Sequence, residues 1–188
     1  MAAVTKNVDL YELKDAKVYA LTADGAALTY GTGQDIPGIM SLAVSAGDTR
    51  QIKLVGDNKI RRIAGRILSI KIRATHSAAS FDVFATLTGG TAAAAGTTPT
   101  TTSSFTQKGA DQYGYIKIAG LIANAKDIGT ENGANAILTV YKAKLTAQPG
   151  FTSDEKGMEW SWEAEAIPTE FDDKIWDITV DETAATLP

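Results

Sequence analysis

Between Gln51 and Gly90 the apolar residues change their spacing from two to between three and four. A chain that does this must carry strands and then dock a short helix on them. Over Gln51–Val55, Ile52 and Leu54 share one face, with Gln51, Lys53 and Val55 on the other. Gly56-Asp57-Asn58 follows as a turn, because these residue types tolerate positive φ. The strand pattern resumes at Lys59 and runs to about Thr75, with Leu68, Ile70 and Ile72 opposite Ile67, Ser69, Lys71 and Arg73. Gly65 predicts a bulge or bend within it. Ser80 is placed to cap a helix carrying Phe81, Val83, Phe84 and Leu87, and Gly89-Gly90 to stop it. A helix of two to three turns is too short to stand alone, so it must pack on something apolar.

Elsewhere the alternation is mostly of period two. Ala16–Thr22 reads as a strand and Ala23-Asp24-Gly25-Ala26 as a turn, followed by a short extended Ala27–Tyr30 and a loop at Gly31–Gly38. Asp9–Asp15 is compatible with one turn of helix. Ile39–Ala46 alternates Leu42, Val44 and Ala46 against small polar positions, as a half-buried strand does. Thr91–Ser104 is low in complexity and poor in large apolar groups, which leaves a loop, a mobile flap or an extended edge. Strands are expected again at Phe105–Lys108 and Tyr113–Gly120, with a mixed stretch over Leu121–Gly133. Ala134–Ala147 is apolar on both faces, so both are expected to be covered. Gln148–Lys156 reads as loop. In Gly157–Ile167, Met158, Trp160, Trp162, Ala164 and Ala166 oppose Glu159, Ser161, Glu163 and Glu165. A last strand lies within Phe171–Val180, around Ile175, Trp176, Ile178 and Val180. The fold class is mainly β: a sandwich or distorted barrel of seven to nine strands with one short flanking helix. A single domain is expected over residues 1–188, with a flexible N-terminal arm at about 1–8 and a mobile Thr-rich loop at about 91–104.

The chain has 188 residues, no cysteine and one histidine. Disulfides, thiolate zinc sites and cysteine nucleophiles are therefore excluded. No run of apolar residues is long enough for a membrane-spanning helix. The opening MAAVTKNVDLYELKD lacks an apolar core behind a basic start, so no secretory signal is expected. The net charge of −4 hides an asymmetry. Residues 1–150 carry 16 Lys and Arg against 11 Asp and Glu, while residues 151–188 carry 2 against 11. This is either an acidic solvated segment or a self-complementary pair of surfaces on neighbouring copies.

No phosphate loop, dinucleotide fingerprint or nucleophile elbow is present. His76, at the end of a strand, reads as a surface or capping residue. Glu159, Glu163 and Glu165 share a strand face, and positions two apart, as Glu163 and Glu165 are, lie about 6.5–7 Å apart at the backbone, within the range of glycosidase carboxylate pairs. The tryptophans that would hold a sugar point the other way. Asp172-Asp173 could help bind a cation, but reads as solvated surface. Eight Lys and Arg fall between Arg50 and Arg73. They alternate across strand faces without aromatic residues for base stacking, which favours a solvated or subunit-facing sheet over nucleic-acid recognition.

In order and spacing the chain resembles the major tail tube proteins of long-tailed, non-contractile bacteriophages. The resemblance spans most of Asp9–Val180. It rests on DLYELKDAKVYALT, YGTGQDIPGIMSLAVS, the LVGDNK turn, the helix closing in LTGG, the Thr-rich loop, and the YKAKL and EWSWEAEAIP strands. It implies a structural virion protein without catalysis or cofactor. Six copies would form a ring, and rings would stack into the tube through which DNA leaves the capsid without specific binding. The implied partners are other copies of the chain, the tape-measure protein, and the tail terminator and tail-tip proteins; the implied location is the virion tail. On this reading Phe81, Phe84, Leu87, Gly56, Asp57, Asn58, Lys59 and Thr101 are candidates for subunit or ring contacts. Glu159, Glu163 and Glu165 are candidates for a lumen or a ring-contact face. The alternatives are another virion β domain, such as a head decoration or tail tip, and a carbohydrate-binding or hydrolysing sandwich using Glu163 and the tryptophans.

Overall fold

A computed structural model of the chain describes residues 8–9, 12–56, 59–78, 80–127, 133–154, 157–181 and 187. Fifteen strands and one helix run in chain order as β1 (Val8–Asp9), β2 (Glu12–Ala23), β3 (Thr29–Tyr30), β4 (Gln34–Asp35), β5 (Ile39–Ala46), β6 (Thr49–Gly56), β7 (Lys59–Ile67), β8 (Ile70–His76), α1 (Phe81–Thr88), β9 (Thr91–Ala95), β10 (Thr102–Thr106), β11 (Ile116–Asp127), β12 (Gly133–Leu145), β13 (Gly150–Asp154), β14 (Gly157–Ala166) and β15 (Trp176–Asp181). Eleven of the strands form one antiparallel sheet along the path β3-β2-β11-β12-β14-β8-β5, with β1 on β11, β4 on β2, β13 on β14 and β15 on β12. The protein is mainly β, a sandwich with one short helix.

The layers are joined at β12. Its first half, Asn135–Val140, pairs with β15, and its end, Ala143–Leu145, pairs with Ala166–Ala164 of β14. A strand that changes partners in this way turns the sheet back over itself. The β14-β8-β5 part then lies across the core from β2 and β11. Leu42 of β5 comes so near the backbone of β11 that a Cβ on Gly120 would stand 2.9 Å from its Cδ2. A side chain at Gly120 would have to push aside the ends of Leu42 and Leu13.

Alternation sets what fills the gap. Ile70, Ile72, Ala74 and His76 of β8 point inward, as do Trp162, Ala164 and Ala166 of β14. They meet Ala16 and Val18 of β2, Ile116 and Ile118 of β11, and Val140 and Leu145 of β12 in one cluster. A smaller cluster on the reverse of β2 and β11 contains Tyr19, Ala119, Leu121 and Leu187. Both faces of the central strands are thus covered, as the two apolar faces of Ala134–Ala147 predicted.

The helix α1 closes one side. Ser80 Oγ accepts the Val83 N–H, and Gly89 at φ 74° donates its N–H to the Ala85 carbonyl. Val83, Phe84 and Leu87 are buried. Each such side chain stabilises the docked helix by about 1.5–3 kcal/mol, which offsets the weakness of so short a helix.

Several expectations are corrected. Asp9–Asp15 is not helical: Glu12–Asp15 belongs to β2 and pairs with β11, so tertiary pairing overrides a weak local pattern. Leu121–Asp127 continues β11, because small residues that carry no alternation are still held between β2 and β12. Gln148–Lys156 contains the edge strand β13, whose largely polar composition hid it. Of the alternatives for Thr91–Ser104, the extended one is observed at both ends and a loop only between them, since β9 and the start of β10 pair as a two-stranded sheet. The long strand from Lys59 is broken at Leu68–Ser69 and not bent at Gly65, because both N–H groups donate to the Asp48 carbonyl. Leu68 is therefore exposed and Ser69 buried, the reverse of the expected faces. The expected N-terminal arm lies outside the described residues, apart from Val8.

Candidate functional site

The strands β6 and β7 form a sheet of their own, separate from the eleven-stranded one. Their register runs from Thr49↔Ile67 to Gly56↔Lys59, so Gly56 and Lys59 close the ladder as the turn signal predicted. Asp57 and Asn58, which would form the tip, lie outside the described residues. Eight residues at about 3.3 Å each make an arm of about 26 Å. Its base is fixed. Asp48 accepts the N–H of Leu68 at 2.8 Å, Asp48 N–H donates to Ser69 Oγ at 2.9 Å, and Arg66 Nη2 meets Asp173 Oδ1 at 3.0 Å. Ile52 and Ile67 of the arm are about half exposed (49% and 52%).

The helix candidates separate. Phe81 remains exposed, stacking at 6.5 Å on Phe105. Phe84 and Leu87 are corrected from interface to core. Phe84 lies 4.6 Å from the Trp160 ring and 5.9 Å from Phe105, and Leu87 is fully buried. A side chain enclosed by its own subunit offers no surface to a neighbour. Thr101 is exposed in the turn between β9 and β10.

On β14 the expected faces are observed, but the acidic one is not acidic as a surface. Strand β8 places Arg73 opposite Glu163 and Lys71 opposite Glu165. Arg73 Nε is 3.6 Å from Glu163 Oε1, and Ser69 Oγ donates to Glu165 at 2.5 Å. Beyond them Ser41 and Thr75 hydroxyls meet at 2.7 Å. The face is thus a mixed-charge ladder, which no single-strand pattern shows. Glu159, opposite Thr152, is exposed. Trp162 is sealed in the core on the opposite side, so Glu163 has no sugar platform beside it.

His76 is corrected from surface to core. It is fully buried, and its Nδ1 bonds the Ala78 carbonyl at 2.6 Å. Burial, opposed in part by that carbonyl, holds the imidazole below its ordinary pKa. Asp172 receives Thr169 Oγ1 at 2.6 Å and pairs with Lys174, while Asp173 holds Arg66. Among the described residues no group of three or more His, Asp or Glu could hold a metal ion, and no helix is long and apolar enough to cross a membrane.

Sequence patterns missed two features. The first is a polar knot under the β2–β3 turn. Lys142 Nζ lies 2.6 Å from Asp24 and 3.3 Å from Glu170, with the Lys142 and Asp24 side chains both buried. Asp24 also accepts the N–H groups of Glu170 and Phe171 at 3.0 and 3.3 Å. Burial pushes the Asp24 carboxyl up, but these donors outweigh it and hold it below the usual carboxylate range. Burial, with Asp24 and Asp172 nearby, raises the Tyr30 phenol to about 12. Lys142 lies on the same strand face as buried Val140, which was the available signal. The second feature is exposed apolar surface at Phe151, Phe171, Trp176 and Ile178. A strand at β15 was legible, but not that Trp176 and Ile178 are left exposed on it. No protein-family model and no curated protein matches this chain.

Proposed function

We propose that the chain is a non-catalytic structural subunit that associates with copies of itself into stacked hexameric rings. These rings would form the tail tube of a long-tailed, non-contractile bacteriophage and conduct DNA during ejection. The observation that carries this reading is the β6–β7 arm. A two-stranded hairpin standing outside the main sheet is marginal in water. This one also exposes large apolar side chains at Ile52 and Ile67. Such an arm suits a contact with another chain. The order of sequence elements that resembles tail tube proteins supports the same reading. So do the long edges of β5 and β15, each paired on one side among the described residues. Open edges favour association between copies. Head-to-tail contacts extend into open stacks unless capped, which gives the tape-measure, terminator and tip proteins their places as initiator and stops.

Negative-stain microscopy of the purified chain, alone and with a tail-tip and tape-measure initiator complex, tests the proposal. Hollow rings and tubes are expected. A chain that stays monomeric at every concentration and with the initiator overturns it.

A further inference from the structure

The arm and the C-terminal segment match each other in charge and in exposed apolar character. Thr49–Ile67 contains six Lys and Arg and one Asp, and residues 170–182 contain six Asp and Glu and one Lys. Ile52, Ile67 and the adjoining Leu68 are exposed on the first, and Phe171, Trp176 and Ile178 on the second. Both are also open edges. The arm is a two-stranded sheet, and β15 is hydrogen-bonded to β12 on one side alone among the described residues. Within one chain the two meet at the arm's base, through Arg66 and Asp173, whose side chains remain largely solvent-exposed. Arg50 stands directly opposite Arg66, and the remaining basic residues of the arm, at positions 53, 59, 61 and 62, lie farther along a ladder about 26 Å long.

We infer that the arm of one copy docks on the acidic edge formed by residues 170–181 of a second copy of this chain. This rests on the tube-subunit reading and names the surface that receives the arm. The occupant is set by complementarity: exposed apolar side chains within excess positive charge fit exposed apolar side chains within matching negative charge. Each copy carries both halves of the contact at different places, so the contact is head-to-tail and propagates.

Charge exchange between two variants tests it. Variant one carries Arg50→Glu and Lys53→Glu, which cuts the net charge of its arm from +5 to +1. Variant two carries Asp173→Lys and Asp181→Lys, which cuts the net charge of its 170–182 segment from −5 to −1. Sedimentation velocity should show each variant alone self-associating at least about tenfold more weakly than wild type. The mixture should recover association, because the arm of variant two and the edge of variant one keep their wild-type charges. A control with Lys14→Glu and Lys108→Glu matches the net charge of variant one and should assemble as wild type does. Thermal unfolding should stay near wild type for variant one and the control, whose exchanged side chains are exposed, and should fall modestly for variant two, because Asp173 adopts a positive φ of 57° and pairs with Arg66. If wild type forms rings or tubes and neither variant weakens them, the arm–edge contact is overturned while the tube reading stands. If the mixture fails to recover, or the control is equally weakened, complementarity between copies is overturned. A wild-type chain that never associates overturns both. Loss of duplex-DNA binding in variant one with unchanged self-association assigns the arm to nucleic acid and overturns the inference.

Discussion

Lys142 lies in β12 with its ammonium buried between Asp24 and Glu170, and it ties the β2–β3 turn to the turn before β15. Removing one member of a buried pair leaves the other charged and poorly solvated, at a cost of about 3–5 kcal/mol. Asp24→Ala should fall in that range by urea denaturation. Asp24→Ala with Lys142→Met should cost less than the two single changes together, because the charges leave as a pair. His76 makes a different prediction. Its pKa is lowered on folding, so as pH falls the unfolded chain takes up the proton first. Its contribution to stability is complete above about pH 6.5 and declines below it until the folded imidazole protonates. The slope of stability against pH just below about pH 6.5 should flatten in His76→Leu. Asp24, also depressed, acts lower: its contribution is lost as pH falls below about 4.

At the scale of elements, α1 divides its aromatic residues between two tasks. Phe84 sits among His76, Phe105 and Trp160, whereas Phe81 stacks at the surface. Phe84→Ala should destabilise the folded monomer by about 3–5 kcal/mol, measured by chemical denaturation. Phe81→Ala should cost less than about 1 kcal/mol, because an exposed ring loses little burial. Equal losses would mean that the helix sits deeper than its exposure pattern indicates. The caps were legible because Ser80 and Gly89 solve local problems of hydrogen bonding and positive φ. The strands β11 and β13 were not fully legible. Their pairing is supplied by neighbours distant in sequence, and their own residues carry little alternation.

The whole molecule has a covered sandwich and a projecting arm, and these should be separable. Asp48 and Leu68 are already joined by a backbone hydrogen bond, so Gly-Gly in place of Thr49–Ile67 closes the body with little strain. The shortened chain should unfold within a few degrees of wild type in a thermal melt. It should form no tubes by negative-stain microscopy with the initiator complex. Tubes of normal appearance would show that stacking does not use the arm.

The sequence by itself determined the class of fold, the capped helix, the β6–β7 turn and the faces of β8 and β14. Each follows from a period or a cap read within a few residues. Only the tertiary structure decided which faces were paid attention to by other strands: Arg73 against Glu163, Lys142 against Asp24, His76 inside the core, and Phe84 enclosed while Trp176 stays exposed. The physical reason is that periodicity gives the direction of a side chain, while its neighbours come from strands far away along the chain. The same holds for function. The charge asymmetry was visible in the sequence, but only the folded chain showed that the basic stretch Thr49–Ile67 forms a sheet of its own and that β15, in the acidic segment, is an edge strand among the described residues.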